Sequence, residues 1–346
     1  LNEMQQRLSN PGYQNHVNFY ETIFKGHKLE HRVIGQAKDI NKFDRISLLA
    51  YLFHLYKPEN MVVGVSGHLD TAHTKRLINN TFGKYKHSIY NMNVIDKTNP
   101  NVVIFNKHIR ILEKYNQKQD TVLKWQTSFK LEINPKIQHI FVLIGFPGYN
   151  YYNKNRYVIN FINAYLSKGM SSILFQKVRN NRGLVYGISS FHKTFDDAGV
   201  FGFKFSVKNV DRFVEALYII LSECQKLKEN KLNDAVVNKL KTSLISNFSF
   251  MKDSSYSMIE FLGLQYLNHP RNVKTPQEII EIYKEINAND IRKVANEIFD
   301  FKKIQTSIIS HTKFDYKIVD KVISQVVKPK KKIILKKSTR KSTKKR

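Results

Sequence analysis

The sequence predicts an α+β protein made of two layered units, each a sheet packed against helices. Three observations carry that expectation. Apolar residues recur at helical spacing through most of the chain, and short β-rich runs bounded by turn signals interrupt them. The strand, turn and helix order of the second half resembles that of residues 1 to 83, as an internal duplication would produce. At 346 residues the chain also holds enough apolar sequence for two ordinary cores. The expected division is a first unit over 1–95, a linker over 96–120, a second unit over 121–315 and a basic tail without fixed structure over 316–346.

The first unit opens with helical signals at Leu1, Met4 and Leu8, and Pro11 resets the helix so that Val17, Tyr20, Ile23 and Phe24 form a second face. Gly26 ends it. A further helix carries Ile46, Leu48, Leu49, Leu52 and Phe53. The run from Met61 to Gly67 is compact and β-rich between turn signals, which predicts a buried strand, and His68-Leu69-Asp70 leads into another helix ending near Gly83. Residues 84 to 120 gather Lys, Asn, Asp and His, and the expected linker holds one short strand at Val102 to Phe105.

The second unit begins with strands around Thr121 to Ile133 and His139 to Gly145, turns at Phe146-Pro147-Gly148, and continues as a helix over Tyr157 to Leu166. Its centre is Gly169 to Phe205: a small-residue turn, a helical pattern through Ile173, Leu174 and Val178, a break at Gly183, and two alternating runs joined at Asp196-Asp197-Ala198-Gly199. Arg179 and Tyr186 flank the break. Helices follow at 211–228, 232–250 and 256–267, with two more starting at Pro276 and Ala288 and a last strand at Ile304 to Ile309.

A net charge of +29 favours anionic partners in general. Nine Lys, two Arg and no acid between Lys328 and Arg346 supply +11 of it, so the tail is the expected contact element for nucleic acid or an anionic surface. No groove-reading or base-stacking motif accompanies this charge, which argues against nucleic-acid binding as the main activity. No apolar run reaches the length of a membrane span. One cysteine, Cys224, set among helix-type apolar residues, reads as a buried structural thiol in an intracellular, reducing compartment. A dimer is compatible with the sequence.

The segments NPGYQNHVNFYETIFKGHKLEHRVIG, YKPENMVVGVSGHLD, GFPG, GMSSILFQKVRNNRGLVY and DDAGVFGF, in that order, resemble the insulinase-type (M16) zinc peptidases from Leu1 to about His311. The resemblance implies two homologous α+β halves enclosing a chamber, Zn²⁺ as cofactor, and a peptide or unfolded polypeptide as substrate. In the family a His-x-x-Glu-His helix binds the metal and carries the base, and a downstream Glu completes the site. That Glu corresponds to Glu3 in Leu1-Asn2-Glu3-Met4; the histidine helix has no counterpart at the family position in this chain. His27-Lys28-Leu29-Glu30-His31 matches the pattern by letters, but it lies between Gly26 and Gly35, follows Glu3, and falls in the family's His-Pro-Leu-Gly-Arg loop. It reads as a chance match. The resemblance further assigns Arg179 and Tyr186 to the substrate backbone near the scissile carbonyl, where a cation and a phenol suit a developing oxyanion. The expected function is a zinc-dependent metalloendopeptidase, with the chain inactive alone. A non-catalytic scaffold or binding subunit of the same fold is the alternative, and a basic nucleic-acid-associated protein the second.

Overall fold

The computed structural model describes residues 1–84, 100–117, 123 and 125–328. At the N-terminus come α1 (Asn2–Leu8), α2 (Pro11–Ile23), the short α3 (Ala37–Ile40), α4 (Arg45–Leu55), α5 (Thr71–Asn80) and α6 (Pro100–Gln117). Then follow β1 (Ser128–Ile133), β2 (Ile140–Pro147), α7 (Arg156–Ser167), β3 (Val185–Thr194), β4 (Gly199–Val207) and α8 (Val210–Glu229). The chain continues through α9 (Asp234–Lys252), α10 (Ser255–Asn268), α11 (Pro276–Glu285), α12 (Ala288–Ile298), β5 (Gln305–Ser310) and α13 (Lys317–Val327). The α+β class expected from the sequence is what the chain adopts.

Local chemistry explains where these helices begin. Asn10 accepts from the Tyr13 N–H with Pro11 in the first turn of α2. Thr275 and Glu278 form a capping box ahead of Pro276 for α11, and Asn287 with Asp290 does the same for α12.

The five strands form one sheet in the order β1-β5-β2-β4-β3, with β1 parallel to β5 and the other pairs antiparallel. Alternation gives it two apolar faces. Ile140, Val142, Ile144 and Phe146 of β2 and Phe201, Phe203, Phe205 and Val207 of β4 point into the main core, which α7, α8 and α12 cover. Leu143 and Val200 point the other way, into a smaller core that α2 covers with Phe19, Ile23 and Phe24. Asn15 of α2 is buried and donates to the carbonyls of Phe141 (3.0 Å) and Ser307 (3.1 Å), while the Ser307 hydroxyl donates back to it at 2.7 Å. Gly145 is the point of closest approach: a Cβ there would sit 2.3 Å from the tip of the Phe19 ring.

Three expectations fail for identifiable reasons. Residues 61–66 are not a buried strand; Met61, Val62, Val63 and Val65 are exposed. A strand needs neighbours for its peptide groups, and no described strand lies beside this one. Val102 to Phe105 is helical, not a strand, and the 96–120 linker is largely α6, since residues 102, 105, 109 and 112 are half-buried at helical spacing and the Phe105 ring meets Phe53 of α4 at 5.8 Å. The structureless tail does not begin at 316: Val319, Val322 and Val326 share one face of α13 and join the main core against α8. The basic residues 329–346 and the linker residues 96–99 and 118–120 lie outside the described residues.

Two stability outcomes follow. Gly145→Ala should destabilise the protein by about 1–3 kcal/mol through overpacking, and Phe19→Ala by about 3–5 kcal/mol through the cavity it leaves. In urea denaturation the double variant should cost clearly less than the sum, because the added methyl enters the vacated space. The second outcome concerns His192, whose imidazole burial pushes down from 6.5 to about 4, with Nε2 unpartnered. The unfolded chain therefore binds more protons than the folded one between those values, so stability present above pH 6.5 is lost on acidification towards 4, on the order of 3 kcal/mol. His192→Gln should flatten that part of the stability-against-pH curve.

Candidate functional site

The turn that leads into β3 is built by backbone constraints. Gly169 has φ +84° and Gly183 φ +58°, both in the left-handed region that side chains disfavour. Between them Phe175–Asn180 winds as a π-helix, a form found mostly as single turns and often at functional sites. Its end is pinned by hydrogen bonds from the Gly183 N–H to the Arg179 carbonyl and from the Leu184 N–H to the Val178 carbonyl, both 2.9 Å. Arg212 of α8 adds a 2.8 Å bond to the Gly183 carbonyl.

This construction brings Arg179 and Tyr186 together. The guanidinium carbon of Arg179 stands 5.4 Å from the Tyr186 ring centroid and 4.7 Å from that of Phe175, in cation–π contact with both. Tyr186 itself is 87% exposed beside an irregularity in the β3–β4 register between Val185 and Ile188. A buried aromatic would serve packing; a phenol held out to solvent by a cation is available to a ligand. Arg182 is engaged elsewhere, in an ion pair with Glu215 of α8.

Tyr186 lines a groove of about 430 Å³ between the start of α2 and the outer face of the sheet, with Asn10, Asn15, Ser189 and Lys204. A second hollow of about 680 Å³ adjoins it, lined by Glu3, Arg7, Tyr13 and His16, and shares Asn10, Gly12 and Lys204 with the first. The two are lobes of one cleft, so Glu3 and Tyr186, 183 positions apart in the chain, border the same space. Glu3 is exposed and paired with Arg7 at 3.0 Å within one helical turn. His16 stacks on Tyr20 at 4.4 Å, and burial together with Lys204 and Lys193 lowers its pKa.

Sequence reasoning passed over Lys204, Asn10 and His16 as cleft residues. A signal for Lys204 existed: in Val200 to Phe205 it occupies the phase opposite the phenylalanines, so it had to face away from the main core. Nothing in the sequence said that α2 would lie on that opposite face.

His27 and His31 do not form a metal site. The segment Lys28–Glu30 is a single 3-10 turn, His27 is buried, and both its nitrogens are engaged. Nδ1 accepts from the Leu29 N–H at 3.1 Å and Nε2 meets the Asp197 carboxylate at 2.9 Å. Cys224 is fully buried with its thiol pKa pushed well up by burial, as a structural thiol should be.

With the layered α+β fold and the cleft described, the comparisons with known proteins name the family. The sequence profile described as the Peptidase M16 inactive domain matches residues 42–244, and the chain belongs to the M16 peptidase family. It is 28% identical over 311 residues to an uncharacterized zinc protease of Rickettsia felis, covering 89% of this chain and 67% of that protein. It is 21% identical over 279 residues to another in Bacillus subtilis, covering 81% and 61%. The chain thus spans about two thirds of the length of the relatives it matches. A protease from Helicobacter pylori superposes with a TM-score of 0.72 at 17% identity, covering 89% of this chain and 69% of that one. The peptidase M16 inactive domain from Pseudomonas fluorescens gives 0.68 at 15% identity, covering 90% and 68%. At such identities these two likenesses establish the fold.

The relatives' names raise Zn²⁺, and the described residues do not by themselves make up a site for it. No group of three or more His, Cys, Asp or Glu converges among them, and Glu3 offers one carboxylate already paired with Arg7. No described helix is long and apolar enough to cross a membrane.

Replacing His27 and His31 together with alanine should leave the zinc content, read by elemental analysis after metal loading, unchanged. The same variant should lose about 1–3 kcal/mol of stability from the lost contacts of the buried His27, the part-buried one to Asp197 among them. A drop in zinc content would restore these residues as ligands.

Proposed function

We propose that this chain forms the polypeptide-binding side of an M16-type zinc endopeptidase and binds extended peptide without cleaving it by itself. The observation that carries the reading is Tyr186, held in the open by Arg179 on the border of the cleft that Glu3 also lines. Tyr186 and Arg179 are the proposed donors to a substrate carbonyl oxygen, strongest as negative charge develops on it. Glu3 is the carboxylate this reading assigns to the metal; its ion pair with Arg7 would have to open, and the other ligands would come from outside the described residues. In this arrangement residues 1–84 belong to the metal-bearing half and residues 128–327 to the substrate-facing half.

A non-catalytic binding subunit of the same fold is the second reading. It is favoured by the match to a domain described as inactive and by the lack of a ligand cluster among the described residues.

Incubated with zinc and a quenched fluorogenic peptide, this chain should bind the peptide and leave it intact; zinc-dependent cleavage would overturn the statement that it does not act alone. In a protein that joins this chain to a complete metal site, Tyr186→Phe should lower kcat about a hundredfold with little change in KM. Unchanged kcat would remove Tyr186 from the reaction and favour the binding-subunit reading.

A further inference from the structure

Lys204 is in an unusual place for a lysine. It lies on β4, a strand flanked on both sides, paired with Leu143 of β2 and Ser189 of β3. Its neighbours in β4, Phe203 and Phe205, are buried on the opposite face, and Leu143 beside it is buried under α2. The lysine itself is exposed, on the hollows it lines together with Gly12 of the first turn of α2. No described carboxylate pairs with its ammonium, although Glu3 lines the same hollow and is bound to Arg7 instead. Lys193, on the same outer face of β3, adds a second positive charge towards His16. The shared floor of both lobes therefore carries an uncompensated cation at a spot walled by protein, where a charge acts more strongly than on open surface.

We infer that Lys204 is a specificity-determining residue which selects peptides bearing an acidic side chain, Glu or Asp, at the position lying over the junction of the two lobes. The inference rests on the polypeptide-binding reading above and adds the chemistry of one subsite to it. A peptide extended along the cleft past Tyr186 passes over Lys204, and an acidic side chain supplies the counter-charge that the protein does not. A basic side chain there meets repulsion from Lys204 and Lys193, while the carboxylate of that hollow, Glu3, is paired with Arg7.

The test uses the whole chain and three fluorescein-labelled, otherwise identical ten-residue peptides of Ala, Ser and Gln with a central Gln, Glu or Lys, followed by fluorescence anisotropy. The expected order of affinity is Glu, Gln, Lys, with Glu over Gln by about three- to tenfold at low salt and much less at 0.5 M salt. The reading that matters is the ratio of the Glu to the Gln affinity. It should collapse to about one in Lys204→Gln, and the order should invert in Lys204→Glu, while circular dichroism shows both variants folded. All variants keep the basic residues 328–346, so a preference for Glu that survives Lys204→Gln comes from elsewhere and overturns the assignment. Equal binding of the Glu and Gln peptides to the unmodified chain overturns this inference alone. Failure of all three peptides to bind overturns it together with the polypeptide-binding reading.

Discussion

Phe19 rests on Gly145, and the cleft exists because of that contact. A sheet with helices on one face would leave its other face to solvent; here β2 carries a bare Cα where the ring of α2 comes down. Burying Phe19 is worth about 2–3 kcal/mol, but the position of the helix is set by polar groups. Asn15 can satisfy its amide only against two particular carbonyls and one hydroxyl of β2 and β5. The apolar contact holds α2 down and the asparagine decides where. From that placement follow the overhang of Asn10 and Gly12, the exposure of Lys204 and the position of α1 with Glu3.

The opposite wall depends on the backbone. A π-helical segment between two left-handed glycines delivers Arg179 beneath a tyrosine that no packing demand buries. Cation–π contact orients the pair at little cost, because both groups keep access to water. Arg182, three residues on, has the same charge and a different fate, spent on Glu215. Position relative to the glycine turn, rather than residue type, separates the two arginines.

The hairpin that carries Tyr186 is tied at its far end as well. Asp197 meets the buried His27 and Asp196 stands 3.5 Å from the buried His269, so the tip of β3 and β4 is linked both to the segment after α2 and to the end of α10. A letter pattern that suggests a metal site is thus a structural tie between distant parts of the chain. The same sequence in a longer helix would present His27 and His31 on one face; two bounding glycines leave room for one 3-10 turn.

The sequence by itself determined the elements of the second unit and the family. Proline, asparagine and glycine punctuation and strict alternation in Val200 to Phe205 are local signals, and local signals survive in a string of letters. Arg179 and Tyr186 were singled out by the family resemblance rather than by their spacing, and the structure brings the two side chains into contact. Longer-range placements were not legible. Residues 61–66 carry a strand's composition without a strand's neighbours, and residues 102–112 become a helix once α4 offers a face to pack on. The family resemblance had placed Glu3 and Tyr186 at one site, but only the tertiary structure decided that Lys204 lies on the space they border, since these residues meet through a helix docking on a sheet over a hundred residues away. Such docking depends on the fit of particular surfaces, and no spacing within a segment encodes that fit.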